Sequence, residues 1–211
     1  KYGKILSIDL TSGEPTILCQ LTNSKLLKKL LKYRLSLKKT DKELSTAVKN
    51  LINIFIHSSA DHDTIANQYK DHCENSDRLE KKLGIEISDL LACLQDDFMC
   101  YNRYVIDEHR KNLSVKELNR RIVIPNAHVL SDKDLIKEHR KYLQGNAHDR
   151  ILNLARLNYT TTGLIPIFTI HDSVSYFINN SDADNLSSII LDNAKQMKYP
   201  IELEILEGSD N

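Results

Sequence analysis

The sequence has little of what secreted, fibrous or membrane-spanning proteins depend on. It contains 4 cysteines, 6 glycines, 4 prolines and no tryptophan in 211 residues. The cysteines show neither a C-x-x-C pair nor regular spacing, which argues against a disulfide framework and a structural zinc site. The apolar runs are far shorter than the roughly 20 residues of a membrane helix. We therefore expect an intracellular protein that is neither secreted nor bound in a membrane.

The charge balance also lacks a dominant sign. Lys and Arg together number 29, as do Asp and Glu, so net charge does not indicate an anionic partner. Residues 25–39 depart from this balance because they carry seven basic residues and no acidic one. Such a segment can face phosphates, form a solvated helix face, or dock on a partner protein or an anionic membrane.

The first half of the sequence predicts one strand followed by helices. Residues 4–10 read as a strand that carries Asp9 at its carboxyl end, before a turn at Gly13. Leucines at helical spacing predict a helix over residues 26–37. The T-x-x-E box that begins at Thr40 predicts the start of the next helix, and residues 59–119 predict a mostly helical lobe.

The second half predicts helices and then strands. Helical patterns cover residues 135–143 and 146–159. Two strands within residues 163–179 are expected to meet at a tight turn that holds His171, Asp172 and Ser173. A helix capped by Ser181 and a strand over residues 200–206 follow. This order predicts an α+β fold with a small antiparallel sheet.

Two carboxylates are predicted to share one edge of that sheet. Asp9 ends one strand and Asp172 lies at the turn of the hairpin. Two carboxylates on neighbouring strands can hold two divalent cations about 3.5–4 Å apart, which is the arrangement used for phosphoryl transfer. Oxygen ligands favour Mg²⁺, which keeps some of its waters and shares substrate phosphates.

Several segments resemble the motifs of family A (bacterial polymerase I type) DNA polymerases, in the same order. S-I-D-L-T-S-G-E-P-T at residues 7–16 is similar to the first catalytic motif, D-Y-S-Q-I-E, and T-I-H-D-S-V at residues 169–174 is similar to the third, V-H-D-E. L-Q-G-N-A-H-D at residues 143–149 resembles the Q-G-T-A-A-D helix, and residues 120–125 resemble the R-R-x-x-P segment. The stretch from Tyr199 parallels the closing strand.

The resemblance covers nearly the whole chain and implies a domain organisation. It implies a polymerase palm built from residues 1–20 and 120–211, with a helical fingers subdomain at 21–119 between them. It also implies that thumb and exonuclease regions are missing or lie upstream in a longer chain. The expected partners are primer-template DNA and deoxynucleoside triphosphates.

The resemblance also assigns residue roles. Asp9, the main-chain carbonyl of Leu10 and Asp172 would hold two Mg²⁺ ions, with Mn²⁺ as a substitute. Asp9 and Asp172 would be the catalytic residues. The nucleotide-binding residues would be Glu14, Lys49 and His57, and the primer- and template-binding residues would be Gln144, His171, Arg140 and Arg121.

The middle motif departs furthest from the family pattern, R-x-x-x-K-x-x-x-F-G-x-x-Y-G. The best register places Lys49 on the lysine and His57 on the tyrosine, whereas Asn53 replaces the aromatic residue and Ser45 replaces the arginine. Lys49 is therefore the main candidate for binding the triphosphate, together with Lys42 or Lys39. A merely amphipathic helix with a solvated Lys49 is the structural alternative.

Two alternative functions remain open on the sequence. Single-subunit RNA polymerases also have an H-D-S third motif, as at residues 171–173, but they lack an acid at the position of Glu14. Because Glu14 would lie beneath the sugar and disfavour a 2′-hydroxyl, it favours DNA synthesis. The other alternative is a degenerate polymerase-like domain that only binds nucleic acid, as the departures at Ser45, Asn53, His57 and Ser173 would suggest.

Overall fold

The computed structural model describes residues 3–112, 114–117 and 120–207. The chain forms two compact units, which we call the sheet unit (residues 1–14 and 144–211) and the helical unit (residues 15–143). The assignments of palm and fingers remain predictions.

Helices predominate among the described elements. In chain order these are β1 (Gly3–Leu10), α1 (Gly13–Thr22), α2 (Lys25–Leu37), α3 (Lys42–His57), α4 (His62–His72), α5 (Ser76–Leu83), α6 (Ile87–Lys111), β2 (Val115–Glu117), β3 (Arg120–Ile122), α7 (Asp132–Arg140), α8 (Tyr142–Thr162), β4 (Pro166–Ile170), β5 (Ser173–Asn179), a 3-10 turn (Asn180–Asp182), α9 (Ala183–Gln196) and β6 (Ile201–Glu207). The predicted α+β fold with a small antiparallel sheet is confirmed.

The sheet unit contains a four-stranded antiparallel sheet in the order β4-β5-β1-β6. Because side chains alternate along a strand, Leu6 and Ile8 point to one face of β1 and are fully buried there, next to Val174 and Tyr176 of β5. Burying an apolar side chain of this size contributes about 1.5–3 kcal/mol. Asp9 lies on the opposite, exposed side of the strand.

A buried polar network joins α8 and α9 to the sheet. The Asn158 amide donates to the Tyr176 hydroxyl at 3.1 Å, and the Asn193 amide donates to Asn158 Oδ1 at 2.9 Å. The Asn193 amide also lies 2.9 Å from Thr161 Oγ1. Since buried amides are costly without partners, these bonds fix the two helices at defined positions on the sheet.

The helical unit is organised around α3. Leu51 and Ile52 of α3 are buried, and the Phe55 ring meets Phe98 of α6 edge to face with centroids 5.1 Å apart. Tyr69 of α4 donates its hydroxyl to the carbonyl of Ala47 at 3.0 Å. These contacts pack α4 and α6 against the apolar face of α3.

A second buried network lies in the helical unit and was not predicted. Tyr101 donates to Glu117 Oε1 at 2.7 Å, and Nε2 of His139 donates to Glu117 Oε2 at 2.8 Å. Nε2 of His109 lies 2.9 Å from Nδ1 of His139. All four side chains are buried, and burial, followed by the charge of His139, lowers the pKa of His109.

Two predicted helix caps were wrong. Asp41, not Thr40, caps α3, because its carboxylate accepts from the Leu44 amide at 3.1 Å whereas Thr40 donates to the carbonyl of Ser36. Ser181 lies in the 3-10 turn before α9, whose N-cap residue is Asp182. In both cases the preceding turn continues further than sequence patterns indicate.

Among the described helices, none combines the length and the hydrophobicity needed to cross a bilayer.

Candidate active site

The sheet brings the two predicted carboxylates to the same end of neighbouring strands. Asp9 of β1 stands opposite Ser173 of β5, one residue after Asp172. The amide of Leu10 donates to the carbonyl of Asp172 at 2.9 Å, which ties the end of β1 to the hairpin turn. The structure thus brings together Asp9, Leu10 and Asp172, the three predicted metal ligands.

Electrostatics at this end of the sheet favour a cation. The pKa of Asp9 is raised, first by partial desolvation and then by the negative charge of Asp172. The carboxylates of Glu202 and Glu204 raise it further, whereas a hydrogen bond from the Ser173 side chain lowers it. The three charged groups that raise the pKa of Asp9 are thus all acids.

This set of donors fits Mg²⁺ only if other oxygens complete the coordination. No group of three or more His, Cys, Asp or Glu side chains within residues 3–112, 114–117 and 120–207 is arranged to hold a metal ion by itself. Two carboxylates with a main-chain carbonyl leave positions for water and phosphate oxygens, which is how Mg²⁺ is commonly bound with phosphate substrates.

The turn that presents Asp172 has a strained backbone, and a hydrogen bond from α8 supports it. His171 has a φ of 49°, a left-handed conformation that costs a non-glycine residue roughly 1–2 kcal/mol. Its carbonyl accepts a hydrogen bond from Nδ1 of His148, on α8, at 2.9 Å. Ser12, after β1, also has a positive φ of 51°. Strain held in place by surrounding contacts is a feature of functional sites.

Gly13 leaves no free space between its backbone and the carboxylate of Asp172 for a larger side chain. A Cβ added at Gly13 would lie 3.2 Å from Asp172 Oδ2 and 3.3 Å from the Cβ of Ala147. The sequence suggested only a permissive turn at this glycine. Neither Gly13 nor His148 was predicted as a site residue, because both act through contacts between segments far apart in the chain.

Three further predicted residues also belong to the sheet unit. Glu14 is half-buried in the first turn of α1, five positions after Asp9. His171 is exposed at the turn. Gln144 belongs to α8, and its side chain lies outside the described part of the chain.

Lys49 and His57 lie in the helical unit, on the polar face of α3. Both are exposed, and their spacing places them on the same side of α3 as Lys42 and Asn53. His57 and Asn53 also line an open cavity of about 740 Å³. Ser45, which replaces the family arginine, is buried and donates to the carbonyl of Arg34 at 3.1 Å. It therefore lies away from the side of α3 that carries Lys49 and His57.

The two predicted phosphate-binding arginines differ in their surroundings. Arg121 is exposed on β3. Arg140 is only 6% exposed and donates to the carbonyl of Ile56 at 3.2 Å and to Asn102 at 3.2 Å, and burial lowers its pKa to about 10. The guanidinium also lies over the rings of Phe55 and Phe98. These contacts favour a structural role for Arg140 at the C-terminal end of α3.

Comparisons with known proteins show a likeness in fold alone. A scan against known protein families finds no match, and neither does a search of curated protein sequences. Among solved structures, the chain is similar to the polymerase domain of Pol1 from M. smegmatis, in complex with DNA primer-template and dNTP. The TM-score is 0.57 at 16% identity, and the match covers 98% of this chain and 40% of that one. The chain therefore has a polymerase-like fold and spans less than half of that relative.

Proposed function

We propose that the protein is a template-directed DNA polymerase of the family A type, which transfers a deoxynucleotide to the 3′-hydroxyl of a primer. The observation that carries the proposal is that Asp9 and Asp172 lie at the same end of neighbouring strands. The hydrogen bond from the Leu10 amide to the Asp172 carbonyl joins these two segments. The fold likeness to a polymerase domain in complex with DNA primer-template and dNTP supports it. So does the order of the sequence motifs.

The proposed metal ligands are Asp9, Asp172 and the main-chain carbonyl of Leu10. Bound Mg²⁺ would supply activation of the primer hydroxyl and neutralisation of charge on the leaving pyrophosphate. The chain itself holds the two carboxylates close together. This arrangement costs free energy, because desolvation and then the charge of Asp172 raise the pKa of Asp9. The Ser173 side chain lowers the pKa of Asp9 and so favours its charged form, and the turn at His171 presents Asp172.

The remaining residues would bind the substrates. Glu14 would sense the sugar, and Lys49 with His57 would bind the incoming nucleotide. His171 and Gln144 would contact the primer end and the minor groove, and Arg121 would bind backbone phosphate. The buried environment of Arg140 does not support the same role for that residue.

Primer extension with Mg²⁺ tests the proposal. Asp172→Asn keeps the size of the side chain and removes its charge, and we expect it to lower the extension rate by at least about 10³-fold, as loss of preorganised charge stabilisation does elsewhere. Asp192→Asn, on the exposed part of α9, is the matched control and should extend at the wild-type rate. Equal extension by wild type and Asp172→Asn would refute the proposal.

Two outcomes of the same experiment support the alternatives instead. If the wild type binds nucleic acid in the presence of a chelator and extends no primer with any divalent metal, the domain is a degenerate polymerase that only binds. The H-D-S motif at residues 171–173 favours testing ribonucleotides as well, because the third motif of single-subunit RNA polymerases is also H-D-S. We expect deoxynucleotides to be preferred and Glu14→Ala to weaken that preference.

A further inference from the structure

Four lysines form a continuous stripe along one side of α2. Lys25, Lys28, Lys29 and Lys32, which we call the lysine stripe, are spaced i, i+3, i+4 and i+7, so they share one face of the helix. All four are exposed. The opposite face is packed inside the helical unit, where Leu27 is fully buried.

The stripe has no acidic partner. Within residues 3–112, 114–117 and 120–207, none of these lysines forms an ion pair or a side-chain hydrogen bond. The sequence contains no Asp or Glu from Lys25 to Lys39. Lysines on solvated helices are commonly interspersed with acids, whereas here the positive charges reinforce one another.

The position of the stripe also opposes the stability of α2. Positive charge near a helix N-terminus is unfavourable, and Lys25 and Lys28 lie in the first turn, where α2 itself has no acidic residue. The compensation comes from elsewhere: the Ser24 hydroxyl caps the helix and donates to Asp97 of α6 at 2.6 Å. A local arrangement that opposes stability and is compensated by other residues is typical of a functional surface.

We propose that the lysine stripe binds the phosphate backbone of a nucleic acid strand, independently of sequence. Lys25 and Lys32 are about 10 Å apart along the helix axis, at 1.5 Å per residue, which matches about three phosphates of one strand. Lysine ammonium groups bind phosphates as point charges and do not read bases. The surface lies in the helical unit, and the inference does not rest on the carboxylate pair.

The packing of α2 favours nucleic acid over an anionic membrane. A helix that lies on a bilayer inserts its apolar face among the lipid chains. In α2 the face opposite the lysine stripe is already buried, with Leu27 and Leu30 at 0% and 3% exposure, so it is not available for insertion among lipid chains.

Salt dependence of oligonucleotide binding tests the inference. A fluorescent single-stranded DNA of mixed sequence is titrated with wild type and with Lys28→Gln/Lys29→Gln, and the anisotropy is followed at several KCl concentrations. Each lost phosphate contact should lower the magnitude of the slope of log K against log salt by about 0.7, so two lost contacts lower it by about 1.4. Over the decade from 1 M salt, where the two affinities should converge, to 0.1 M salt, this makes the double variant bind about 25-fold more weakly.

The matched control is Lys81→Gln/Lys82→Gln. This pair is also adjacent and exposed on a helix of the helical unit, but it is not part of the stripe. It should bind DNA within about twofold of wild type. Thermal melting guards against unfolding, because removing positive charge near the start of α2 should leave the melting temperature of Lys28→Gln/Lys29→Gln unchanged or raise it.

Equal salt slopes for wild type and Lys28→Gln/Lys29→Gln would overturn the inference. So would binding to vesicles containing phosphatidylserine that the double variant loses while its DNA affinity stays constant. Asp172→Asn separates this inference from the proposed function, because it should abolish extension and leave the salt slope intact. A reduced salt slope in Lys28→Gln/Lys29→Gln supports binding by the lysine stripe whether or not the wild type extends primers.

Discussion

Replacing Gly13 by alanine should damage the candidate active site without destabilising the fold. Gly13 does not have a positive φ, so alanine fits its backbone conformation, and alanine is favoured over glycine in a helix by up to about 1 kcal/mol. The new methyl group, however, would lie 3.2 Å from Asp172 Oδ2 and 3.4 Å from Asp172 Cβ. The carboxylate must therefore move by a few tenths of an ångström.

The size of the effect follows from that displacement. A misplacement of about 1 Å at a reacting centre can cost about 100-fold in rate, so a shift of a few tenths of an ångström should cost roughly fivefold. Gly13→Val adds two further methyl groups and should cost closer to about 100-fold. Mn²⁺ affinity measured by calorimetry should fall in the same order, because Asp172 is a proposed ligand.

A second glycine provides a control with the opposite expectation. Gly84 has a φ of 68° and no atom within 4 Å of an added Cβ, so Gly84→Ala should lose about 1 kcal/mol of stability through backbone strain and keep its extension rate. Unchanged extension and unchanged Mn²⁺ affinity in Gly13→Ala and Gly13→Val would refute the reasoning. It would mean that Gly13 does not set the position of Asp172.

Three further predictions concern stability. The free energy of unfolding should fall as the pH decreases from 7 to 5. Because the pKa of His109 is lowered in the folded chain, the unfolded chain binds a proton near pH 6.5 that the folded chain does not bind. Urea titrations should show that the unfolding free energy of His109→Gln depends less steeply on pH. Arg140→Leu should lower the free energy of unfolding by about 3 kcal/mol, or the melting temperature by about 6–12 °C, because it leaves buried carbonyls at the end of α3 without a donor. Asn158→Leu should cost about 2–4 kcal/mol in urea unfolding, because Tyr176 and Asn193 each lose a buried partner.

Each of these predictions has an opposing result. A wild-type unfolding free energy that is constant from pH 7 to 5 would contradict the first. Arg140→Leu that weakens DNA binding and leaves stability unchanged would restore the phosphate-binding role expected from the sequence. An Asn158→Leu variant as stable as wild type would show that the network between α8, α9 and the sheet is energetically neutral.

Local patterns predicted the elements of the sheet unit well. Alternation placed β1 and its terminal Asp9, and turn residues placed Asp172 between two strands. These signals are local, because strand periodicity and turn preferences act over a few residues. The choice between Thr40 and Asp41 as a cap failed because both are good cap residues, and only the extent of the preceding turn decides between them.

The supporting contacts of the candidate site could not be predicted in the same way. The approach of Gly13 to Asp172 and the hydrogen bond from His148 to the His171 carbonyl join segments more than 20 residues apart. The burial of Arg140 depends on how α3, α6 and α7 pack, and an exposed and a buried arginine look alike in a sequence. The charge pattern therefore predicted that Arg140 binds phosphate, whereas its packing favours a structural role.

The pairing of β1 on both of its sides has a consequence for synthesis on the ribosome. Its hydrogen-bonding partners, β5 and β6, begin about 160 and about 190 residues after β1 ends. At a translation rate of about 5–20 residues per second, the nascent strand waits about 10–30 s before either partner emerges. Throughout that interval both edges of the strand present unpaired backbone N–H and C=O groups that can mispair, which makes this short segment a natural client for chaperones.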